Sequence, residues 1–315
     1  MTSDDLDDFD DLADLPEWLG GWCEKHLGSG PQRVLFQQQS ISAVFGLRLA
    51  DGRDVVVKSR EDDGRTAACV AAQAQLAERG FPCPRPITPV SAVGALGVHA
   101  EEFRPGGEVL PGDSPEVAVR YAAVFARLMA ELTQVTVEPP LPNPRWARWD
   151  HTDPGLWPAI GVLDERDQSA VPAYVVETAR RARTRLLGAG LPCVLGHADF
   201  EAQNLRWRGG EVGAVHDWDS LAWQPEAALV GTACGTFSTM SPPTLAPIDS
   251  SAAFLTAYQE LRGRRFTAQE LEIAWAASLW PALHNARWEA LHGDPPVCLD
   301  AVRVQAAERL RRANA

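Results

Sequence analysis

The amino-acid sequence predicts an α+β fold in two parts: a small antiparallel sheet carrying one helix, then a larger, mainly helical part. Three observations lead there. Apolar runs at 33–37, 41–49 and 54–58 include two joined through Asp51-Gly52, a dipeptide suited to a hairpin turn. Beyond Arg104-Pro105-Gly106-Gly107 the apolar period changes from that of strands to that of helices. Finally, 315 residues at 45% hydrophobic content are enough to build a core in each part.

Each element follows from local chemistry. A helix is expected over 65–79, stopped by Gly80 and the prolines at 82, 84 and 86, and a strand over 98–103. Ser114 is an N-cap with Pro115 at the first helical position, and Val117, Tyr121, Val124, Phe125, Leu128 and Leu132 follow at helical spacing. Residues 139–172 are rich in proline and hold Trp146, Trp149 and Trp157, which predicts an irregular segment with a functional reason for its length. A helix over 174–187 leads into a short strand at 194–195. Strands at 205–207 and 212–216 flank Gly209-Gly210, a second hairpin. Helices at 254–261, from the Thr267-x-x-Glu270 capping box through 280, and at 299–312 complete the chain.

The formal charge is −13, but seven aspartates, from Asp4 to Asp14, lie in the first fourteen residues. Removing those seven leaves −6 for the rest of the chain. Such a like-charge run cannot bury enough surface to offset its ordering entropy, so residues 1–17 are expected to be a disordered leader. The expected organisation is then 18–104 as the sheet-bearing part and 105–315 as the mainly helical part. An acidic body argues against nucleic-acid binding and suits a cationic small-molecule partner. The cysteines at 23, 69, 83, 193, 234 and 298 form no Cys-x-x-Cys pair, so reduced, buried thiols are expected. No basic-then-apolar leader and no run of eighteen apolar residues is present, which points to a cytoplasmic protein with no membrane partner. The sequence does not address the oligomeric state.

The most informative stretch is Gly196-His197-Ala198-Asp199-Phe200-Glu201-Ala202-Gln203-Asn204, continued through the hairpin to His216-Asp217-Trp218-Asp219. Transfer of a phosphoryl group needs little covalent help from a protein; it needs positioning and charge neutralisation. A carboxylate must meet the acceptor hydroxyl, and oxygen ligands must hold magnesium against the phosphates. His-x-Asp-x-x-x-x-Asn followed by an aspartate after a hairpin supplies both, with Asp199 in the first role and Asn204 and Asp217 in the second.

At these residues the chain resembles the aminoglycoside phosphotransferase family, small-molecule kinases with a protein-kinase-like two-lobe fold. The resemblance covers nearly everything after the acidic leader. That family's loop usually reads His-Gly-Asp, and Ala198 stands where the glycine would be, a change tolerated if the backbone is ordinary there. Its metal aspartate sits in a sequence like Asp217-Trp218-Asp219. The resemblance implies ATP or GTP and Mg2+ as cofactors, Asp199 as catalytic base, and Asn204 and Asp217 as metal ligands. It also implies that Lys58, ending the apolar strand Val55-Val56-Val57, pairs with nucleotide phosphates. His197 is expected to brace the loop rather than transfer protons.

Ser40 and Ser42 lie in the glycine-poor loop that would cover the phosphates. Glu102 and Arg104 lie in the segment that would link the lobes and hold adenine through its backbone. A glutamate from the next helix should face Lys58, yet 65–77 holds no acidic residue. Gln73 at helical spacing could accept a hydrogen bond from the ammonium without neutralising it, so either phosphates mainly hold Lys58 or an acid outside the helix, Glu61 or Asp62, substitutes. Asp150, His151, Asp153, Trp275, Trp280, His284 and Trp288 are candidates for an acceptor pocket, with a helical core as the alternative for any of the tryptophans.

Three functions remain open on the sequence. One is a kinase phosphorylating a hydroxyl of a small molecule, either an antibiotic such as an aminoglycoside or a metabolite of the choline, homoserine or fructosamine kind. The second is a non-catalytic nucleotide-binding protein, suggested by the missing helix glutamate and the glycine-poor loop. The third is a metallohydrolase using His197, Asp199, His216, Asp217 and Asp219.

Overall fold

The computed structural model describes residues 12–39, 42–137 and 141–315. Most of the acidic leader, and Ser40 with it, therefore lies outside the described residues. The chain divides into two compact units, Met1–Gly106 and Gly107–Ala315.

The first unit is a five-stranded antiparallel sheet in the order β1-β2-β3-β5-β4, with β1 Pro31–Gln39, β2 Ala43–Leu49, β3 Asp54–Glu61, β4 Ser91–Val93 and β5 Leu96–Glu102. Two helices accompany it rather than the single one expected. Helix α2, Thr66–Glu78, is the predicted one, and α1, Glu17–Leu27, precedes the sheet. Gly20 and Gly21 sit in the middle of α1 and lower its intrinsic propensity. Burial overrides them: Leu19, Trp22, Cys23 and Leu27 pack on Phe45, Leu47, Val55, Val57, Val98 and Ala100. Because side chains alternate along a strand, Val56 and Lys58 are left on the opposite face of β3. The sheet is thus apolar where α1 covers it and carries its lysine on the other side.

The second unit is mainly helical. Helix α3, Pro115–Leu132, starts as expected, with the Ser114 side chain accepting from Val117 N at 3.4 Å. The described residues 141–172 after it stay irregular apart from α4, Gly161–Asp164, and two turns of 3-10 helix at Arg145–Ala147 and Gln168–Ala170. Helix α5, Ala173–Leu187, feeds β6, Cys193–His197. The hairpin β7 Leu205–Arg208 and β8 Glu211–Val215 turns at Gly209 and Gly210, both at positive φ, where only glycine is unstrained.

Two elements here were not foreseen. Strand β9, Leu221–Pro225, pairs antiparallel with β6, and α6, Glu226–Thr236, follows it directly. Every residue of α6 after Glu226 is buried, so it shows no amphipathic period to read. Gly231 and Gly235 let it approach α8, Ala268–Ala277: a Cβ on Gly231 would lie 2.1 Å from the Ala274 carbonyl oxygen. The Thr267 capping box forms with Glu270. The helix expected to run through 280 instead breaks at Ser278, and α9, Trp280–His292, starts afresh with Pro281 in its first turn, since proline cannot continue the preceding hydrogen-bond ladder. Helix α7, Ile248–Arg262, packs along α3, and α10, Val297–Arg312, closes the unit.

Candidate active site

In the first unit Lys58 does find a carboxylate, but none of the expected ones. Its Nζ lies 2.8 Å from Oε1 of Glu101, a residue of β5. Strand register explains the meeting. His99 lies opposite Lys58 and Glu101 opposite Val56, so Glu101 is the diagonal neighbour of Lys58 on the same face. Gln73 from α2 does not reach the lysine; its Nε2 donates to Glu101 Oε2 at 2.9 Å and to the Pro84 carbonyl at 2.7 Å. Burial pushes the Glu101 carboxyl upward, but Lys58, His99 and the hydrogen bonds from Lys58 and Gln73 outweigh it and hold the group below its usual value. Sequence reasoning missed this partner because the pairing depends on a register fixed only when the sheet forms. Glu61 and Asp62 are both exposed.

Ser42 precedes β2 directly and is half-buried. The Glu102 side chain is occupied by Arg85, Nε to Oε1 at 3.0 Å, and by Arg104 at 3.5 Å. Its backbone N donates to the Arg85 carbonyl. The side chains of Glu102 and Arg104 are therefore engaged with each other, and Arg104 leaves the sheet into the irregular segment up to Gly107.

In the second unit the structure brings Asp199, Asn204 and Asp217 together. Strand β6 ends at His197, and the loop after it is anchored by Phe200, fully buried against Phe125 of α3 at 4.8 Å between ring centroids and against Tyr121 at 6.3 Å. That anchor leaves the half-buried Asp199 on the other side of the backbone. Ala198 is buried and is absent from the positive-φ residues, so its methyl group costs no strain. His197 accepts from Asp199 N through Nδ1 at 3.2 Å and donates through Nε2 to the His216 carbonyl at 3.2 Å. It is the neutral Nε2–H tautomer, bracing the loop against the residue before Asp217. Burial above all lowers it to about 4. With both ring nitrogens committed to backbone, His197 cannot ligate a metal, and the metallohydrolase cluster loses a necessary member.

Asn204 donates its Nδ2 to the Asp199 carbonyl at 2.9 Å and to Asp199 Oδ2 at 3.0 Å, which leaves its Oδ1 as an oxygen donor. Asp217 follows β8 in the left-handed conformation, φ 64 and ψ 48, a region aspartate tolerates better than most residues. Ser220 Oγ donates to its Oδ2 at 2.8 Å, and the indole of Trp218 donates to the Val215 carbonyl at 2.9 Å. The turn is thereby fixed on both sides of Asp217.

The electrostatics are those of a site short of positive charge. Burial first, then Glu201, raises Asp199 to about 8 against the help of hydrogen bonds from Asp217 and Asn204. Burial and then Asp219 push Asp217 well above its ordinary value. Glu201, which sequence reasoning passed over, is buried, takes a 2.7 Å hydrogen bond from Gln203 and is itself raised to about 8, chiefly by burial. Asp199 and Asp217, both pushed toward the protonated form, form with the Asn204 amide oxygen an all-oxygen donor set suited to a hard divalent ion.

The acceptor-pocket candidates separate. Trp275 is buried under Arg309 and Arg312, and Trp280 is buried with its Nε1 donating to the Trp146 carbonyl; both are core. His151 is buried on the Leu156 carbonyl, Asp153 accepts from Ala159 N, and Arg183 binds the carbonyls of Trp149, His151 and Gly155. These residues hold the irregular segment in shape. His284 is lowered to about 4 by burial and Arg287. Asp150 and Trp288 remain exposed, Trp288 stacked on His292 at 4.2 Å.

The small sheet, the helical unit, the loop after β6 and the turn after β8 are the parts of a kinase-like phosphotransferase fold. The chain belongs to the phosphotransferase enzyme family, whose model matches residues 35–264. Among solved structures it is similar in fold to an amicoumacin kinase in complex with AMP-PNP, Ca2+ and its substrate, with 14% identity and a TM-score of 0.62 over 89% of this chain and 86% of that one. A spectinomycin phosphotransferase in complex with ADP and spectinomycin aligns at 12% identity and a TM-score of 0.56, over 94% and 93% of the two chains. A choline/ethanolamine kinase family protein from Mesorhizobium loti aligns at 18% identity and a TM-score of 0.51, over 90% and 87%. A sequence comparison with curated proteins found no match.

Proposed function

We propose that this protein transfers the terminal phosphoryl group of ATP or GTP, with Mg2+, to a hydroxyl of a small polar molecule, and that a hydroxylated antibiotic is the acceptor class to test first. The observation that carries the reading is the Asp199–Asn204–Asp217 arrangement. Asn204 spends its amide nitrogen on Asp199 and keeps its oxygen for a cation. Asp217 is held beside it in a conformation of its own.

In this reading Asp199 accepts the hydrogen bond of the acceptor hydroxyl and takes its proton as the new oxygen–phosphorus bond forms. Magnesium, held by Asn204 Oδ1 and an Asp217 carboxylate oxygen together with nucleotide phosphates, would neutralise the charge on the transferred group. Asn204 and the Phe200 anchor keep the Asp199 carboxylate pointed at the acceptor. Lys58, oriented by Glu101, binds phosphate oxygens through its ammonium. That pair answers one of the two motives for a non-catalytic reading, the want of an acidic partner for the lysine; the glycine-poor loop is the other.

The acceptor is found by measuring ADP release with MgATP over aminoglycosides, other hydroxylated antibiotics, choline, ethanolamine, homoserine and fructosamines. The reading expects release stimulated by one class; release from none of them, with the nucleotide bound, would contradict it. Protection of cells expressing the protein against the corresponding drug separates the antibiotic reading from the metabolite one, which the choline/ethanolamine kinase likeness keeps in the panel.

A further inference from the structure

We propose that Glu101, a strand residue, is the positioning residue for Lys58, and that Gln73 of α2 holds Glu101 instead of the lysine. The nucleotide-binding lysine is thereby fixed from within the sheet and not by the helix. The inference rests on the phosphotransfer reading.

The geometry is divided cleanly. Of the two carboxylate oxygens of Glu101, Oε1 meets Lys58 Nζ at 2.8 Å and Oε2 takes the Gln73 amide at 2.9 Å. Glu101 and Gln73 are each 1% exposed, so neither contact is a surface accident screened by water. A buried carboxylate is costly unless it is paired and hydrogen-bonded on both oxygens, and this one is.

Lys58 and Glu101 sit on adjacent strands whose backbones are locked by the β3–β5 ladder from Val55↔Glu102 to Glu61↔Leu96. Their separation cannot change without breaking that ladder. Helix α2 meets the Glu101 carboxylate through Gln73, which is tethered at the same time to the Pro84 carbonyl at 2.7 Å. A displacement of α2 would therefore loosen Glu101 on one oxygen and leave the ion pair in place. In this chain the helix steadies the pair and does not gate it.

The sequence makes the test unusually direct, because the only lysines are Lys25 and Lys58. Lys25 is exposed on α1 and serves as an internal reference. Trace labelling of the folded protein with acetic anhydride, read as the ratio of Lys58 to Lys25 acetylation, reports how firmly the ammonium of Lys58 is held. Glu101→Gln is expected to raise the ratio by about tenfold, because an ammonium that loses its carboxylate partner gives up its proton more readily. Gln73→Met is expected to change it by less than about threefold. In parallel, Glu101→Gln should lower kcat/KM for ATP on the order of 10²-fold through misplacement of the lysine, with the acceptor KM unchanged. Glu101→Asp, which keeps the charge, should recover most of the loss.

A ratio unmoved by Glu101→Gln, or Gln73→Met matching Glu101→Gln in both readouts, would overturn the assignment. If the unsubstituted protein releases no ADP with any acceptor, the phosphotransfer reading falls and takes the positioning role with it. If it turns over normally and Glu101→Gln does too, only the positioning role falls.

Discussion

His197 and Asp199 show how two titratable residues separated by a single alanine can have opposite tasks. The His197 ring is enclosed and spends both nitrogens on backbone, so it stays neutral across the working range. Replacing it with alanine should lower turnover by roughly tenfold to a hundredfold through misplacement of Asp199, while the shape of the pH–rate profile between pH 6 and 9 stays as it was. A lost limb near neutral pH would mean that the histidine titrates in the reaction after all. At this scale the sequence was highly legible for Asp199, Asn204 and Asp217, because their spacing along one loop and one hairpin is local. Glu101 and Glu201 were not legible. The first meets Lys58 only through the register of two strands, and the second matters only because the loop folds it inward.

Elements were readable where one face is wet and unreadable where burial is complete. Helix α3 shows its period and its Ser114 cap, and the Thr267 capping box forms as written. Helix α6 is enclosed on every side and contains Gly231 and Gly235, and α1 carries Gly20-Gly21, so propensity argued against both. Packing outweighs propensity in each case. Gly231→Ala tests it for α6: the new methyl would meet the backbone of α8 at Ala274, which cannot move aside as a side chain could. The expected cost is about 1–3 kcal/mol, read as a lower midpoint in urea with an unchanged slope. An unaffected midpoint would show that α6 and α8 can separate at no expense. Since β6 and β9 bracket the loop proposed to carry the base and α6 follows β9 directly, the same change should also reduce turnover.

At the scale of the whole molecule the carboxyls of the candidate site set how stability depends on pH. Asp199, Glu201 and Asp217 have raised affinities for protons in the folded state, against ordinary values near 4 when unfolded. The folded protein thus binds more protons than the unfolded one between those limits, and its stability falls as pH rises from about 4 toward 8. Glu101 acts in the opposite sense, stabilising above its ordinary value and losing that contribution only in acid. Without divalent ions the thermal midpoint should therefore decline from pH 6 to 8.5, and millimolar MgCl2 should raise it more at 8.5 than at 6. A magnesium effect equal at both values would contradict a carboxylate site for the ion. Among the described residues no helix is long and apolar enough to cross a membrane.

The central claim is that Asp199 meets the acceptor hydroxyl while Asn204 and Asp217 serve the metal. Steady-state ADP release by Asp199→Asn, measured beside its MgATP affinity, tests it most directly. The account predicts turnover lower by roughly 10²–10⁴-fold, the usual contribution of a general base, with nucleotide affinity retained; turnover equal to that of the unsubstituted protein would contradict it.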